Sequence, residues 1–390
     1  MNFSACPAPR AWFERFSTQL LHLDFSISCC YSSLFILRCE KLVVYLLVYV
    51  DDIVLTGNNP QFIDSLISQL SSSFELKDLG SLHYFLGLQI TRTSKGLFLC
   101  QTKYAQDLLL RHHMHTSKPA RSPCAPNIRL VPTEGSPLLN PHEYRSMVGS
   151  LHYLTFTRPD LSFSVHQVCQ FMANPTDSHL IAAKRILRYI NGTLHFGVFL
   201  QHGPLSLSAF SDSDWAGDPF DRRSTTGFLV YLGYNPITWS AKKQETVSRS
   251  STESEYRALA STAAELSWIR QILKDLGIFL PSSPTLWCDN VSALAIASNP
   301  VFHARTKHVE VDYHFVRERV LRRDLQVKYV ATGDQYADIF TKSLSTARFC
   351  FLRSKIMVSV DPMVLRGDVK ASTLDNTAFK PDEEEEKCNG

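Results

Sequence analysis

Residues 47–58 read LVYVDDIVLTGN. The run Leu42–Val50 is rich in β-branched and aliphatic residues, and it ends on two adjacent carboxylates, Asp51 and Asp52. Burying such a pair is costly, and like charges side by side repel. A divalent cation offsets that repulsion, and two-metal phosphoryl transfer needs carboxylates placed to clamp ions between an attacking and a leaving oxygen. The ordinary alternative is an Asp-Asp turn at the tip of a hairpin. Successive side chains of a strand alternate in direction, so the two carboxylates are expected to point to opposite faces of the ribbon.

Outward from this hairpin the pattern alternates between helix and strand. Trp12, Phe16, Leu20 and Leu23 fall at helical spacing within residues 11–24. Gly57-Asn58-Asn59-Pro60 turns the chain into a second helical pattern over 61–74. Residues 83–90 and 96–100 read as short strands, and 103–114 as a helix. The stretch 116–142 is proline-rich and reads as an extended connection. Helices are predicted over 144–152, 160–172 and 177–190. The last has Leu180, Ala183, Leu187 and Ile190 on one face and Lys184, Arg185 and Arg188 on another, a stripe suited to tracking a duplex backbone.

From residue 205 the order becomes three strands, helix, strand, helix, helix, strand, helix, which predicts a mixed α/β sheet domain. Four carboxylates occupy telling places in it. Asp212 closes the first strand, Glu255 lies in the first turn of the long helix, Asp289 ends a later strand, and Asp338 opens the last helix. Converging on one sheet edge, they would hold two Mg²⁺ ions through hard oxygen ligands, able to activate a water at a scissile phosphate. Each has a plainer role when taken alone. Glu255 fits a capping box with Thr252, Asp289 a turn, Asp338 a helix-dipole partner, and Asp214 competes with Asp212.

The bulk numbers fit such a chain and exclude others. With 390 residues, two or three domains are expected. Forty Lys+Arg against 37 Asp+Glu give a formal charge of +3, too weak to establish a nucleic-acid partner by itself. Ten cysteines without a CxxC pair argue against a zinc ribbon or a disulfide framework and point to an intracellular protein. His303, His308 and His314 are spaced five and six apart and do not share a helical face, which speaks against zinc. Leu42–Val50 is too short to cross a bilayer, and no membrane partner is expected. Residues 351–390 end in an acidic run, Asp382–Glu386, and are expected to be disordered.

Residues 47–58 resemble the YxDD hairpin of reverse transcriptases in its copia-retrotransposon form. The flanks PRAWF (9–13), LKDLGSLHYFLGL (76–88), YRSMVGSL (144–151), TRPDL (157–161) and AAKRILRY (182–189) are similar to segments of the same family. So are SDSDWAGD (211–218), RRSTTGF (222–228), SSTESEY (250–256), CDN (288–290), RTKHVEVDYHFVRE (305–318) and ADIFTK (337–342). The resemblance implies a partial reverse-transcriptase palm over 1–115, a thumb or connection over 116–204, and a ribonuclease H-like mixed-sheet α/β domain over 205–350. By the same resemblance, catalytic and metal-binding roles fall on Asp212, Glu255, Asp289 and Asp338, with Asp212 preferred to Asp214, and on Asp51 and Asp52.

The implied cofactor is Mg²⁺ or Mn²⁺. The implied partners are an RNA–DNA hybrid and a template-primer, contacted by Arg222, Arg223, Lys307, His308, Arg317, Lys184, Arg185 and Arg188. The expected activity is endonucleolytic cleavage of RNA in hybrids, in a cytoplasmic virus-like particle or the nucleus. The polymerase half is expected to be incomplete, because the family's further metal-binding Asp belongs to a strand before Asp51. Leu42–Val50 is then expected to have unpaired edges, and the upstream polymerase and integrase segments count as missing partners. The alternative is a retroelement remnant that binds nucleic acid without chemistry.

Overall fold

The computed structural model describes residues 9–126, 128–298, 310–356 and 358–360. The first unit comprises α1 (Pro9–His22), β1 (Ser26–Ile27), β2 (Leu34–Cys39), β3 (Leu42–Tyr49), β4 (Asp52–Gly57) and α2 (Pro60–Ser73). Its antiparallel sheet runs β1-β2-β3-β4. Val44, Leu46 and Val48 alternate on β3, and all three are buried against Phe16 and Leu20 of α1 and Leu66 and Leu70 of α2. Asn59 caps α2 by accepting from the Phe62 N–H at 3.1 Å, with Pro60 at the first helical position. The expectation of unpaired edges on Leu42–Val50 is corrected here. β3 pairs with β2 on one side and β4 on the other.

The second unit begins at β5 (Tyr84–Phe85), β6 (Leu88–Thr93) and β7 (Gly96–Cys100). It continues through α3 (Thr102–Arg111), α4 (Pro141–Leu154), α5 (Ser162–Cys169), α6 (Asp177–Asn191) and β8 (Phe196–Gln201). β7 pairs with β8, a hundred residues on, and not with the first sheet. Ala105, Leu108 and Leu109 of α3 pack with Tyr144, Leu151, Val165, Leu187 and Ile190. The border expected at residue 115 is therefore corrected: packing changes between α2 and β5.

Arg158 and Asp160 form a buried pair, joined at 2.9 and 2.8 Å through Nε and Nη2, one edge of the guanidinium. Tyr189 donates to the same carboxylate at 2.6 Å, and Arg158 also donates to the Thr193 carbonyl at 2.9 Å. Such a pair survives burial because every charge is matched and hydrogen-bonded.

The third unit holds β9 (Leu207–Asp214), β10 (Thr225–Leu232), β11 (Asn235–Lys243), α7 (Ser251–Asp275), β12 (Thr285–Cys288), α8 (Val291–Ser298), α9 (Glu310–Leu321) and β13 (Gln326–Tyr329). Its sheet order is β11-β10-β9-β12-β13. The first three strands are antiparallel, and β12 and β13 run parallel to β9. α7 lays Tyr256, Leu259, Ala263 and Leu266 on the sheet. The chain is thus α/β with a mixed sheet in this unit. α7 ends where Gly277 takes φ +65°, and there the Tyr45 hydroxyl donates to the Leu276 carbonyl at 2.6 Å, tying the first sheet to the third unit.

Two expectations for the C-terminal part are corrected. The predicted last helix is a 3₁₀ turn, Tyr336–Phe340, followed by α10 (Thr346–Lys355). Residues 351–360, expected to open a disordered tail, complete α10 and form β14 (Val358–Val360), which pairs with β8. Phe349, Leu352, Ile356 and Val358 are buried in the second unit's core, together with Leu229, Tyr231, Ile339 and Phe340 of the third. Their apolar surface explains the order: four large side chains leave water at once. Residues 361–390 lie outside the described residues.

Candidate active site

Asp212 sits within β9 opposite Gly227 of β10. A Cβ at Gly227 would come within 2.6 Å of Thr341 Cγ2 and 2.8 Å of Phe340 Cβ. The glycine therefore lets the 3₁₀ turn press against the sheet, which carries Asp338 and Thr341 over Asp212. Glu255 comes from the second turn of α7, one turn later than expected: Glu253, not Glu255, lies in the first turn, where the N-cap Ser250 accepts from the Glu253 N–H at 3.1 Å. Asp289 directly follows β12, the parallel neighbour of β9.

Asp212, Glu255 and Asp338 are all buried. Thr341 Oγ1 donates to Asp212, and Lys342 Nζ lies 3.3 Å from the same carboxylate while pairing with Asp338. Arg348 Nη2 is 3.2 Å from the other Asp338 oxygen. Gln335 Nε2 donates to the Ser211 carbonyl at 3.0 Å and to Asp289 Oδ1 at 3.3 Å, and Thr332 Oγ1 donates to Asp289 Oδ2 at 3.2 Å. One ligand atom each from Glu255, Cys288 and Asp289 lies within 4.8 Å of the others.

The electrostatics show a site with more negative charge than its surroundings neutralise. Burial first, then the Asp212 and Asp289 carboxylates, push Glu255 up to about 9. Burial also raises Asp212 to about 6, against the pull of the Lys342 ammonium, with Asp338 and Asp289 adding to the rise. Glu255 Oε2 is buried with no hydrogen-bond partner. A buried carboxylate oxygen without a donor, among further hard oxygen donors, fits a divalent cation of the Mg²⁺ type. Asp214 is used differently. Its carboxylate accepts from the Thr225 N–H at the start of β10, and burial pushes it up to about 7.

The remaining predicted residues are dispersed. Asp51 and Asp52 are exposed at the β3–β4 tip, where Val50 takes φ +52°. Among the described residues, no group of three possible metal ligands includes either of them. Arg222 and Arg223 are exposed on the β9–β10 loop, which Lys243 braces by bridging Asp218 and Asp221. Arg185 Nη2 donates to Ser122 Oγ at 3.2 Å and Arg188 Nε to the Lys118 carbonyl at 2.8 Å. The segment 117–124 thus lies on that face of α6, and Lys184 beside it is half-buried. The Arg317 guanidinium is 5.6 Å from the Tyr313 ring centroid. His303, Lys307 and His308 lie outside the described residues.

Sequence reasoning missed Lys342, Thr341, Gln335 and Arg348. The one available signal was the lysine four residues after Asp338 in ADIFTK, a spacing that brings side chains together in a helical turn.

Residues 4–126 match the family described as reverse transcriptase (RNA-dependent DNA polymerase). The chain is 50% identical over 356 residues to the Retrovirus-related Pol polyprotein from transposon RE1 of Arabidopsis thaliana, covering 91% of this chain and 24% of that protein. The chain thus spans about a quarter of that relative's length. It is 53% identical over 227 residues to the uncharacterized mitochondrial protein AtMg00810 of the same plant, covering 58% of this chain and 94% of that protein. Among solved structures it is similar to the foamy viral protease-reverse transcriptase in complex with RNA/DNA hybrid. There the identity is 14%, the cover 74% of this chain and 36% of that chain, and the TM-score 0.40.

Proposed function

The chain belongs to the copia-type retrotransposon Pol polyproteins, and from that membership we propose that it cleaves the RNA strand of RNA–DNA hybrids at the cluster of Asp212, Glu255, Asp289 and Asp338. The observation that carries this reading is the gathering of Asp212, Glu255, Asp289 and Asp338 around the central strand β9 and its neighbour β12, with Glu255 Oε2 left without a donor. The exposed pair Asp51 and Asp52 has no comparable company among the described residues, so the chemistry is assigned to the third unit.

Asp212, Glu255, Asp289 and Asp338 would hold Mg²⁺ or Mn²⁺. Bound there, such an ion supplies Lewis-acid activation of a water and neutralises charge at the scissile phosphate. The chain's own part is to fix the carboxylates. Thr341 and Lys342 hold Asp212, Gln335 and Thr332 aim Asp289, and Lys342 and Arg348 hold Asp338. Arg222 and Arg223, exposed on the β9–β10 loop, would meet phosphates. Choice of a hybrid would rest on its shape and on 2′-hydroxyl contacts in the wide minor groove.

The test is cleavage of a hybrid carrying a labelled RNA strand by the full chain in Mg²⁺ or Mn²⁺, with single-stranded RNA and duplex DNA as controls. Asp289→Asn keeps the side chain's shape and removes its charge, so at least about a hundredfold loss is expected. Cleavage by Asp289→Asn at the parent's rate removes the site assignment.

A further inference from the structure

Among the charged groups around the carboxylate cluster, Lys342 occupies a singular place. Its ammonium reaches two acidic residues contributed by different elements, lying 3.3 Å from Asp212 of β9 and pairing with Asp338 of the 3₁₀ turn. The other cation at Asp338, Arg348, is engaged elsewhere as well, donating to the Thr332 and Gly333 carbonyls. Among the described residues, Lys342 hydrogen-bonds to these two carboxylates and to no other group. Glu255 and Asp289 complete the cluster, and Glu255 Oε2 is buried there without a hydrogen-bond partner.

We propose that Lys342 is an internal counter-cation, a positioning residue that holds Asp212 and Asp338 together and whose charge competes with a divalent ion for the same carboxylates. The proposal rests on the metal-binding reading above. A fixed ammonium beside the cluster keeps two buried acidic side chains from driving the turn off the sheet by mutual repulsion. The same positive charge lowers the cluster's affinity for any further cation, because like charges repel most strongly in a partly buried site. Lys342 thereby exchanges some metal affinity for a site that is already assembled before metal arrives.

The consequence has a definite sign. Lys342→Met keeps the apolar stem and removes the charge. Without divalent ions, the full chain carrying Lys342→Met should melt earlier, by about 3 °C. Millimolar Mg²⁺ should restore most of that loss, so its stabilising increment is larger in the variant than in the parent. Calorimetric titration should show Mg²⁺ binding several-fold tighter to the variant. Lys342→Arg, which keeps the charge, should behave like the parent in both measurements.

A merely structural lysine would lower the melting temperature equally with and without Mg²⁺, and equal increments in parent and variant would overturn the proposal while leaving the metal site standing. Weaker Mg²⁺ binding by Lys342→Met would overturn it as well. If Mg²⁺ neither binds the parent nor moves its melting temperature, the metal-binding reading and the counter-cation role fall together.

Discussion

Neutralising Glu255 should make the protein more stable while ending the proposed cleavage. In the folded chain this carboxyl is held up to about 9 by burial and by Asp212 and Asp289, against an ordinary value of 4.5. A raised folded value means that the associated stability is fully present below 4.5 and is lost as pH rises toward about 9. At pH 7 the gap from 4.5 corresponds to about 3 kcal/mol of stability forgone. Glu255→Gln carries no charge in either state and escapes that penalty, and its amide can donate to the neighbouring carboxylates. Urea unfolding in the presence of chelator should show the variant gaining about 2–3 kcal/mol at pH 7 and almost nothing near pH 4.5. In saturating Mg²⁺ the advantage should shrink or reverse, because the parent then gains binding free energy that the variant lacks. A difference between variant and parent that is constant from about pH 4.5 to 8 would refute the reasoning.

Two further outcomes follow from the packing. Asp160→Asn leaves the Arg158 guanidinium buried with a broken bidentate partner and should destabilise the second unit by about 3–5 kcal/mol, read as an earlier urea transition. Arg158 holds Asp160 below the ordinary carboxylate range despite its burial, so in the parent this contribution persists above that range and disappears only as pH falls below it. A chain ending before Thr346 loses Phe349, Leu352, Ile356 and Val358 from the shared core. Losing a single buried Leu or Ile side chain costs about 2–5 kcal/mol, so this chain should be recovered insoluble or protease-sensitive throughout its second unit, and a resistant, monomeric product would contradict the packing.

What could be read from residues alone divides along the range of the interactions. The mixed order of strands and helices follows from local periodicity, and it put Asp289 right after its strand; it missed that β9 runs two residues past Asp212, that Glu255 lies in the second turn of α7, and that Asp338 sits inside a 3₁₀ turn. The gathering of the four carboxylates was a short step from there. The partner of β7 was not legible, because β8 lies a hundred residues away and nothing local marks the pairing. The basic stripe on α6 showed a polar face, but periodicity could not say that residues 117–124 cover it. Lys342 escaped notice because its meeting with Asp212 depends on Gly227 letting the turn lie close. The order of residues 351–360 was masked by a weak apolar pattern whose burial depends on a core assembled from distant parts of the chain.

The pairing of β14 with β8 makes the third unit a topological insertion into the second. Synthesis is vectorial, so β8 must wait for the whole third unit to emerge before its outer neighbour arrives. The inserted sheet can form early, whereas its host closes last. A single peptide-bond cut between β8 and β9 would then release nothing, since the downstream piece stays stitched to its host by α10 and β14.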